Sequence, residues 1–414
     1  MLSLYNSLTR KLEPFKPIKP GEIKMFTCGP SIYQRPHIGN YRTFLFEDLL
    51  QRYLEYQGYE VTRVLNFTDV EDKSIDEAKK MNIDVLDLTE KYSKIFFEDL
   101  ELLNIKPPTY APRSSTSVDQ AVRLIQDLLE KDYAYWHKGN VYFDPLNFED
   151  FGKLGHLDKS QWPKVKKRYH KDTYPGNRWN LGDFIIWHGY RNGDPIYWDT
   201  QLGKGRPAWN IQDPAMAVQT LGFCVDIYCG GEDNQVRHHD YTIAITESIS
   251  GKSMATYWLH GAHLLIDGKK MSKSKGNVLY PDDLIEAEYT AEEVRFFLIY
   301  GSYRKRSNFT FERIEKTAHK LRQVCRMIEI IKNAGYDEST GRAADLIDKL
   351  ELDFRKSMDD DLDVKHAFDD LSAILKKIGR LADRNQVSLQ ESKMIIAVLI
   401  DIDKVMQIFK LSHD

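Results

Sequence analysis

Two short segments far apart in the chain carry residue types suited to one phosphate-bearing ligand. Pro36–Asn40 reads PHIGN and stands between a β-rich run and a helical one. His37 and Asn40 offer polar donors at the start of a helix, where the peptide dipoles already favour an anion. Gly39 between them lets a ligand approach the backbone closely. The second segment, Gly268–Asn277, reads GKKMSKSKGN and sets Lys270, Lys273 and Lys275 among the hydroxyls of Ser272 and Ser274. Each is weak alone, because a short HxGN match is common and a lysine-rich loop is ordinarily a solvated one. Together and in order they are far more specific. Between them lies CGGED, Cys229–Asp233. There Gly230 and Gly231 can admit an adenine ring, and Asp233 can take ribose hydroxyls.

The elements around these segments follow from pattern. GEIKMFTCGP (Gly21–Pro30) reads as a strand ending at Gly29-Pro30. Residues from about Thr43 to Gly58 have helical spacing, and YEVTRVLNFTDV (Tyr59–Val70) is a second β-rich run. Strand, helix, strand opens a βαβ unit and hence a parallel sheet. From about Pro112 to Gly205 the character changes. A helix from Ser117 to Glu130 precedes AYWHKGNVYFDP, which reads as a hairpin turning at Lys138-Gly139-Asn140. A Lys-, Trp- and Pro-rich stretch follows (KSQWPKVKKRYHKDTYPGNRW), giving an inserted, partly mobile subdomain. FCVDIYCGGED restores the α/β pattern. From near Ala291 a long helical pattern begins, interrupted at GYDESTG and NQVSL. Its apolar residues (Leu346, Leu350, Phe354; Val364, Phe368, Leu371, Leu375) recur every three or four positions, as in a bundle. The expected organisation is α/β: a catalytic domain in two halves, 1–112 and 206–290, an insertion at 113–205 and a helical bundle at 291–414.

Composition narrows the class. Of the 414 residues, 42% are hydrophobic and 29% charged, which excludes general disorder. No apolar run approaches the ~18 residues of a membrane span. The start of the chain has neither a basic head nor a long apolar stretch with a cleavage site, so no secretory signal is expected. Four cysteines in so long a chain suggest a reducing, cytoplasmic setting. A net charge of -4 neither demands nor forbids a nucleic-acid partner.

The sequence resembles the class I cysteinyl-tRNA synthetases. His37-Ile38-Gly39-Asn40 stands as the HxGH-type motif and Lys270–Ser274 as KMSKS. The likeness continues through YNSLTRKLEPFKP, FTCGPSIY, RTFLFEDLLQRYLEYQGYEV, NFTDVEDK, RPAWNIQDPAM, VDIYCGGED, HHDYTIA and RSNFTF, over roughly the first three-quarters of the chain. It implies a Rossmann-type sheet and an ATP- and Mg²⁺-dependent reaction, in which an amino-acid carboxylate attacks the α-phosphate and pyrophosphate leaves. Such a step needs little proton chemistry and much charge neutralisation. The resemblance assigns His37 and Asn40 to the phosphates. Lys270 and Lys273 go to the leaving pyrophosphate with help from Ser272 and Ser274, and Gly39, Gly230, Gly231 and Asp233 to the nucleotide. It places Cys28, Gly29, Thr68, Trp209, Asp213, His238 and Thr242 in the amino-acid pocket.

Two departures shape the functional expectation. The family holds a zinc ion with two cysteines, a histidine and a glutamate. Here Cys28 and His238 keep their types, but Asp213 replaces the second cysteine (WNIQD against WHIEC) and Thr242 replaces the glutamate (HHDYT against HHENE). A threonine hydroxyl is a poor zinc ligand. Zinc is therefore expected to be absent, with Cys28, Asp213 and His238 as its ligands if it is bound. An Asp213 charge in the pocket asks for a cation, either a basic substrate side chain or a protein group such as Arg237. The second departure is that the chain stops at Asp414, within or just after the bundle, where the family continues into an anticodon-reading domain. DDDLD (Asp359–Asp363) breaks up any basic stripe, and Lys164–Lys171 is the better phosphate-contacting stretch. In this brevity the chain is similar to the mycothiol-pathway ligase. The leading expectation is an amino-acid-activating ligase with a small hydroxyl or amine acceptor and a cationic amino acid. The alternatives are a minimal cysteinyl-tRNA synthetase and a non-catalytic nucleotide- or RNA-binding paralogue, and no membrane partner is expected.

Overall fold

A computed structural model describes residues 1–157, 183–271, 276–335, 341 and 343–411. Ser272, Lys273 and Ser274, the KSQWPKVKKRYHKDTYPGNRW stretch with Lys164–Lys171, and most of GYDESTG lie outside the described residues.

A four-stranded sheet in the order Ala255–Gly261, Val225–Gly231, Glu22–Thr27, Glu60–Leu65 forms the centre, and every pairing in it is parallel. Val225–Gly231 is buried along almost its whole length, as a strand covered on both faces must be. Thr27 sits opposite Cys229, and Gly231 opposite Gly261, so the expected site segments leave the sheet at the same carboxyl end. Ligands of open parallel sheets bind at that end.

The helix after the first site strand runs Ile38–Tyr56, starting five residues before the expected Thr43. Asn40 is the reason: its side-chain oxygen accepts from the His37 backbone N–H at 3.0 Å and satisfies a donor the helix start leaves open. The HxGN motif is thus the first turn of the helix rather than a loop ahead of it.

The insertion carries a five-stranded antiparallel sheet, with Ala134–His137 paired to Asn140–Phe143. Lys138 and Gly139 take φ of 47° and 80°, a two-residue hairpin turn, so Asn140 opens the second strand instead of sitting in the turn. The helical region comprises Ala291–Ile299, Phe311–Lys332, Ala344–Met358, Val364–Ala382 and Leu389–Met406. The continuous pattern expected from Ala291 is broken by a short strand, Ser307–Phe309, which pairs in parallel with Leu264–Ile266 in a separate three-stranded sheet.

Two polar clusters fasten these parts. Asp48, on the motif helix, meets Arg295 of the bundle at 2.6 Å with both side chains fully buried. Asp361 accepts from the Tyr5 backbone N–H and the Tyr303 hydroxyl, each at 2.8 Å. The DDDLD run is therefore in part an internal fastener and not only surface charge. No helix among the described residues is long and apolar enough to cross a membrane.

Candidate active site

The residues expected in an amino-acid pocket converge from three elements. Cys28 and Gly29 follow the strand Glu22–Thr27 directly. Trp209 and Asp213 lie on the helix Trp209–Leu221. His238 stands in an irregular turn before the helix Asp240–Ser250, where Arg237 takes φ 76° and ψ -72°, a γ-turn conformer that is strained for a non-glycine residue. This turn presents two adjacent histidines, His238 and His239, to the same cluster.

Asp213 is the hub. Its Oδ2 lies 2.7 Å from His238 Nε2 and 3.3 Å from the Cys28 sulfur, and its Oδ1 accepts from the Asn66 amide at 2.8 Å. Arg237 is not among these partners. The carboxylate therefore has its hydrogen bonds from the protein, and the expectation that a cationic substrate must complete it loses its premise. The Trp209 ring stacks on His238 with centroids 4.0 Å apart.

Beyond Cys28 a second line of polar atoms begins. His239 Nε2 is 3.0 Å from the sulfur, His239 Nδ1 is 2.8 Å from His260 Nε2, and His260 Nδ1 is 2.8 Å from the Ser7 hydroxyl. Burial, helped by the neighbouring Asp213 carboxylate, pushes the Cys28 thiol well above its ordinary range. Burial pushes His239 well down and His260 to about 3, so both imidazoles are neutral. In one tautomer order His239 donates to the sulfur. In the reverse order it donates to His260, and its Nε2 turns a lone pair toward the cluster. Gly230 makes room for this ring, since a Cβ there would stand 2.8 Å from His239.

The zinc ion implied by the resemblance can be tested against these donors. Cys28, His238 and His239 offer ligand atoms all within 4.8 Å of one another, and all three residues are buried. One sulfur and two nitrogens suit zinc, and Asp213 Oδ2 stands beside them, 2.7 Å from His238 and 3.3 Å from Cys28. The residues fit the ion, though not in the set expected from sequence. Thr242 stands outside it, because its hydroxyl donates to the His238 carbonyl at 3.0 Å. Thr68 is buried and contributes backbone, its carbonyl accepting from the Ile32 N–H.

Of the nucleotide-side residues, Lys270 and Gly231 lie beside Asp233. Lys270 Nζ is 3.4 Å from its Oδ2, and a Cβ on Gly231 would stand 2.8 Å from its Oδ1. His37 caps the motif helix, and Gly39 behind it faces Met271, the buried methionine that follows Lys270. Sequence reasoning missed Ser7, Asn66, His239, His260 and His263. Only the doublet His238-His239 left a signal that could have flagged one of them.

Comparison with known proteins shows the family to which the chain belongs. Residues 14–319 match the family described as "tRNA synthetases class I (C) catalytic domain". The chain is 39% identical to a protein named cysteine–tRNA ligase from Chlamydia pneumoniae, over 99% of this chain and 87% of that one. It is 36% identical to a protein of the same name from Staphylococcus carnosus, over 100% of this chain and 86% of that one. Among solved structures, a methionyl-tRNA synthetase from Mycobacterium tuberculosis bound to methionyl-adenylate superposes with a TM-score of 0.68 at 16% identity, covering 93% of this chain and 92% of that one. That likeness concerns the fold alone.

Proposed function

The chain belongs to the class I tRNA synthetase family and is an ATP-dependent ligase of that type; from this premise we propose that it activates cysteine and transfers it to a tRNA. The observation that carries the amino-acid assignment is the closed polar cluster at Asp213. With its charge engaged by His238, Asn66 and Cys28, the pocket floor offers a sulfur-compatible surface and no free carboxylate for an ammonium. The cysteine–tRNA ligase names of relatives at 36–39% identity support both substrate and acceptor.

In this reading the chain's own residues do the following. The amide nitrogen of Asn40 and the ring of His37 meet the triphosphate at the positive end of the motif helix. Asp233 takes the ribose hydroxyls. Lys270 moves from Asp233 to the phosphates as charge builds at the leaving pyrophosphate; Mg²⁺, when bound with ATP, would supply further positive charge there. Lys273, Ser272 and Ser274 belong to the same loop and are assigned by motif. Trp209 and His238 form one wall of the side-chain pocket, and Gly29 lets the Asn66 backbone pack against the strand end, since a Cβ there would overlap the Asn66 carbonyl. Cys28, Asp213, His238 and His239 would hold zinc. When bound, that ion favours a thiol over a hydroxyl, since soft sulfur suits it better.

The test is ATP–pyrophosphate exchange against all twenty amino acids, followed by acylation of total tRNA. Cysteine-dependent exchange and charged tRNA are expected. Exchange with lysine but not cysteine would remove the amino-acid assignment. Adenylate formation without charged tRNA would return the acceptor to a small molecule.

A further inference from the structure

At the root of the Lys270 loop an imidazole sits where none of the motifs places one. The turn Asp267-Gly268, with φ of 47° and 75°, folds the strand Leu264–Ile266 back onto Lys269–Lys270. His263, just before that hairpin, points its Nε2 at the Lys270 ammonium, 3.4 Å away. Lys270 in turn is 3.4 Å from Asp233 Oδ2. The groups around the ring come from every neighbouring element: Glu232 and Asp233 after the central strand, Lys270 on the hairpin, and Arg306 ahead of Ser307–Phe309. The two carboxylates lie 3.6 and 3.7 Å from Nε2, outside hydrogen-bond reach. Glu232 is engaged by Arg306 at 2.9 Å and by the backbone N–H of His263 at 3.2 Å, not by its ring.

We propose that His263 is a positioning residue of the nucleotide site, holding Lys270 at Asp233 until the ribose and phosphates of ATP claim the two charged groups. The proposal rests on the nucleotide reading of Asp233 and Lys270 given above. Burial holds His263 below its ordinary value, and the nearby Lys270 adds to this, so the ring is neutral and can accept from the ammonium. Asp233 and Lys270 are each more than half exposed, and an ion pair in that setting is worth little by itself. A quarter-exposed imidazole adds a second, fixed acceptor and turns a loose pair into a defined arrangement. Since ATP must displace it, the contact stabilises only the nucleotide-free form, and its strength is subtracted from ATP affinity.

The direction of the effect follows. His263→Phe removes the acceptor and keeps a ring, so ATP should bind about 2- to 10-fold more tightly, the worth of one hydrogen bond. His263→Gln keeps an acceptor and should restore wild-type affinity. His263→Asn, polar but too short to reach Lys270, carries the same expectation as Phe and guards against misfolding of that variant. Equilibrium dialysis with Mg·ATP reads the dissociation constant without any amino acid, and exchange kinetics should show KM for ATP falling while kcat holds. Equal or weaker ATP binding by both the Phe and the Asn variants overturns the proposal. Absence of ATP binding by the unaltered chain overturns the nucleotide reading, and the proposal with it.

Discussion

Met271 packs against Gly39: its sulfur lies 3.5 Å from where a Cβ on that glycine would stand, and its side chain is 4% exposed. The two expected site segments are therefore in contact through an apolar residue. Gly39→Ala would also press on the His37 ring, whose nearest atoms are 3.0 Å from the new carbon. Adenylate formation should slow by about 10²-fold, since small misplacements of reacting groups carry such penalties. The melting temperature should barely move. Met271→Ala should slow the step as well, and Met271→Leu, which conserves volume, should restore it. Wild-type rates in both alanine variants would count against the coupling.

Lys270→Ala removes the described cation nearest Asp233 in the loop. Pyrophosphate exchange should fall by about 10²-fold or more because the lost charge acts where negative charge develops. Circular dichroism should be unchanged, since the side chain is 60% exposed and nothing in the core leans on it. An unaltered exchange rate would dismiss the assignment.

The purified chain should carry stoichiometric zinc, measured by plasma emission, and lose it with exchange activity on prolonged chelation. His239→Gln should lose the metal, whereas Thr242→Val should keep it. His260→Gln, which leaves His239 without its orienting partner, should weaken metal binding by about 10- to 100-fold. Substitution by cobalt gives a second readout, a sulfur-to-metal charge-transfer band that Cys28→Ser should abolish. Retention of metal by His239→Gln would refute this ligand set.

Asp48→Asn should cost about 3–5 kcal/mol in urea denaturation, because it leaves Arg295 buried without its partner. Although burial opposes ionisation of Asp48, Arg295 and Arg52 outweigh it and hold the carboxyl below its ordinary value. A carboxyl depressed by folding gives its full stabilisation above the unfolded value near ~3.9 and loses it as pH falls through the lower folded value. The gap between wild type and variant should thus stay flat from pH 8 to 5. A gap that shrinks across that window would show that Asp48 is not the ionised partner.

The framework of the site was legible because it is local. A strand, a glycine, a polar helix start and a second strand are neighbours in the chain, and their periodicities announce them. The start of the helix at Ile38 was not, since the capping bond that sets it joins His37 to Asn40 inside the motif. The pocket floor was half legible. Cys28, Asp213 and His238 were found by position, but Asn66, which fixes Asp213, lies 147 residues away along the chain. Ser7 and His260 are separated by 253 residues and leave no periodic trace. His239 was hidden differently. Adjacent residues of a helix point about 100° apart, so the doublet alone does not say that both rings reach Cys28 and Asp213, as His239 and His238 do. The choice between a substrate cation and a protein group for Asp213 was not legible, because its partners Cys28, Asn66 and His238 come from distant parts of the chain.

The fastener at Asp359–Asp361 bears on how the chain is made. Ser3 donates its backbone N–H to the Asp359 carbonyl and accepts from the Asp361 N–H, at 2.8 and 3.0 Å, while Tyr5 reaches the Asp361 carboxylate, 356 positions further along the chain. During vectorial synthesis those early backbone groups have no partner until the bundle's turn has left the ribosome. At about 5–20 residues per second, that interval is tens of seconds, in which the strand Ser3–Asn6 has only its hairpin partner Lys11–Pro14. Its docking on the bundle is thus a late step of folding, although its residues are made early.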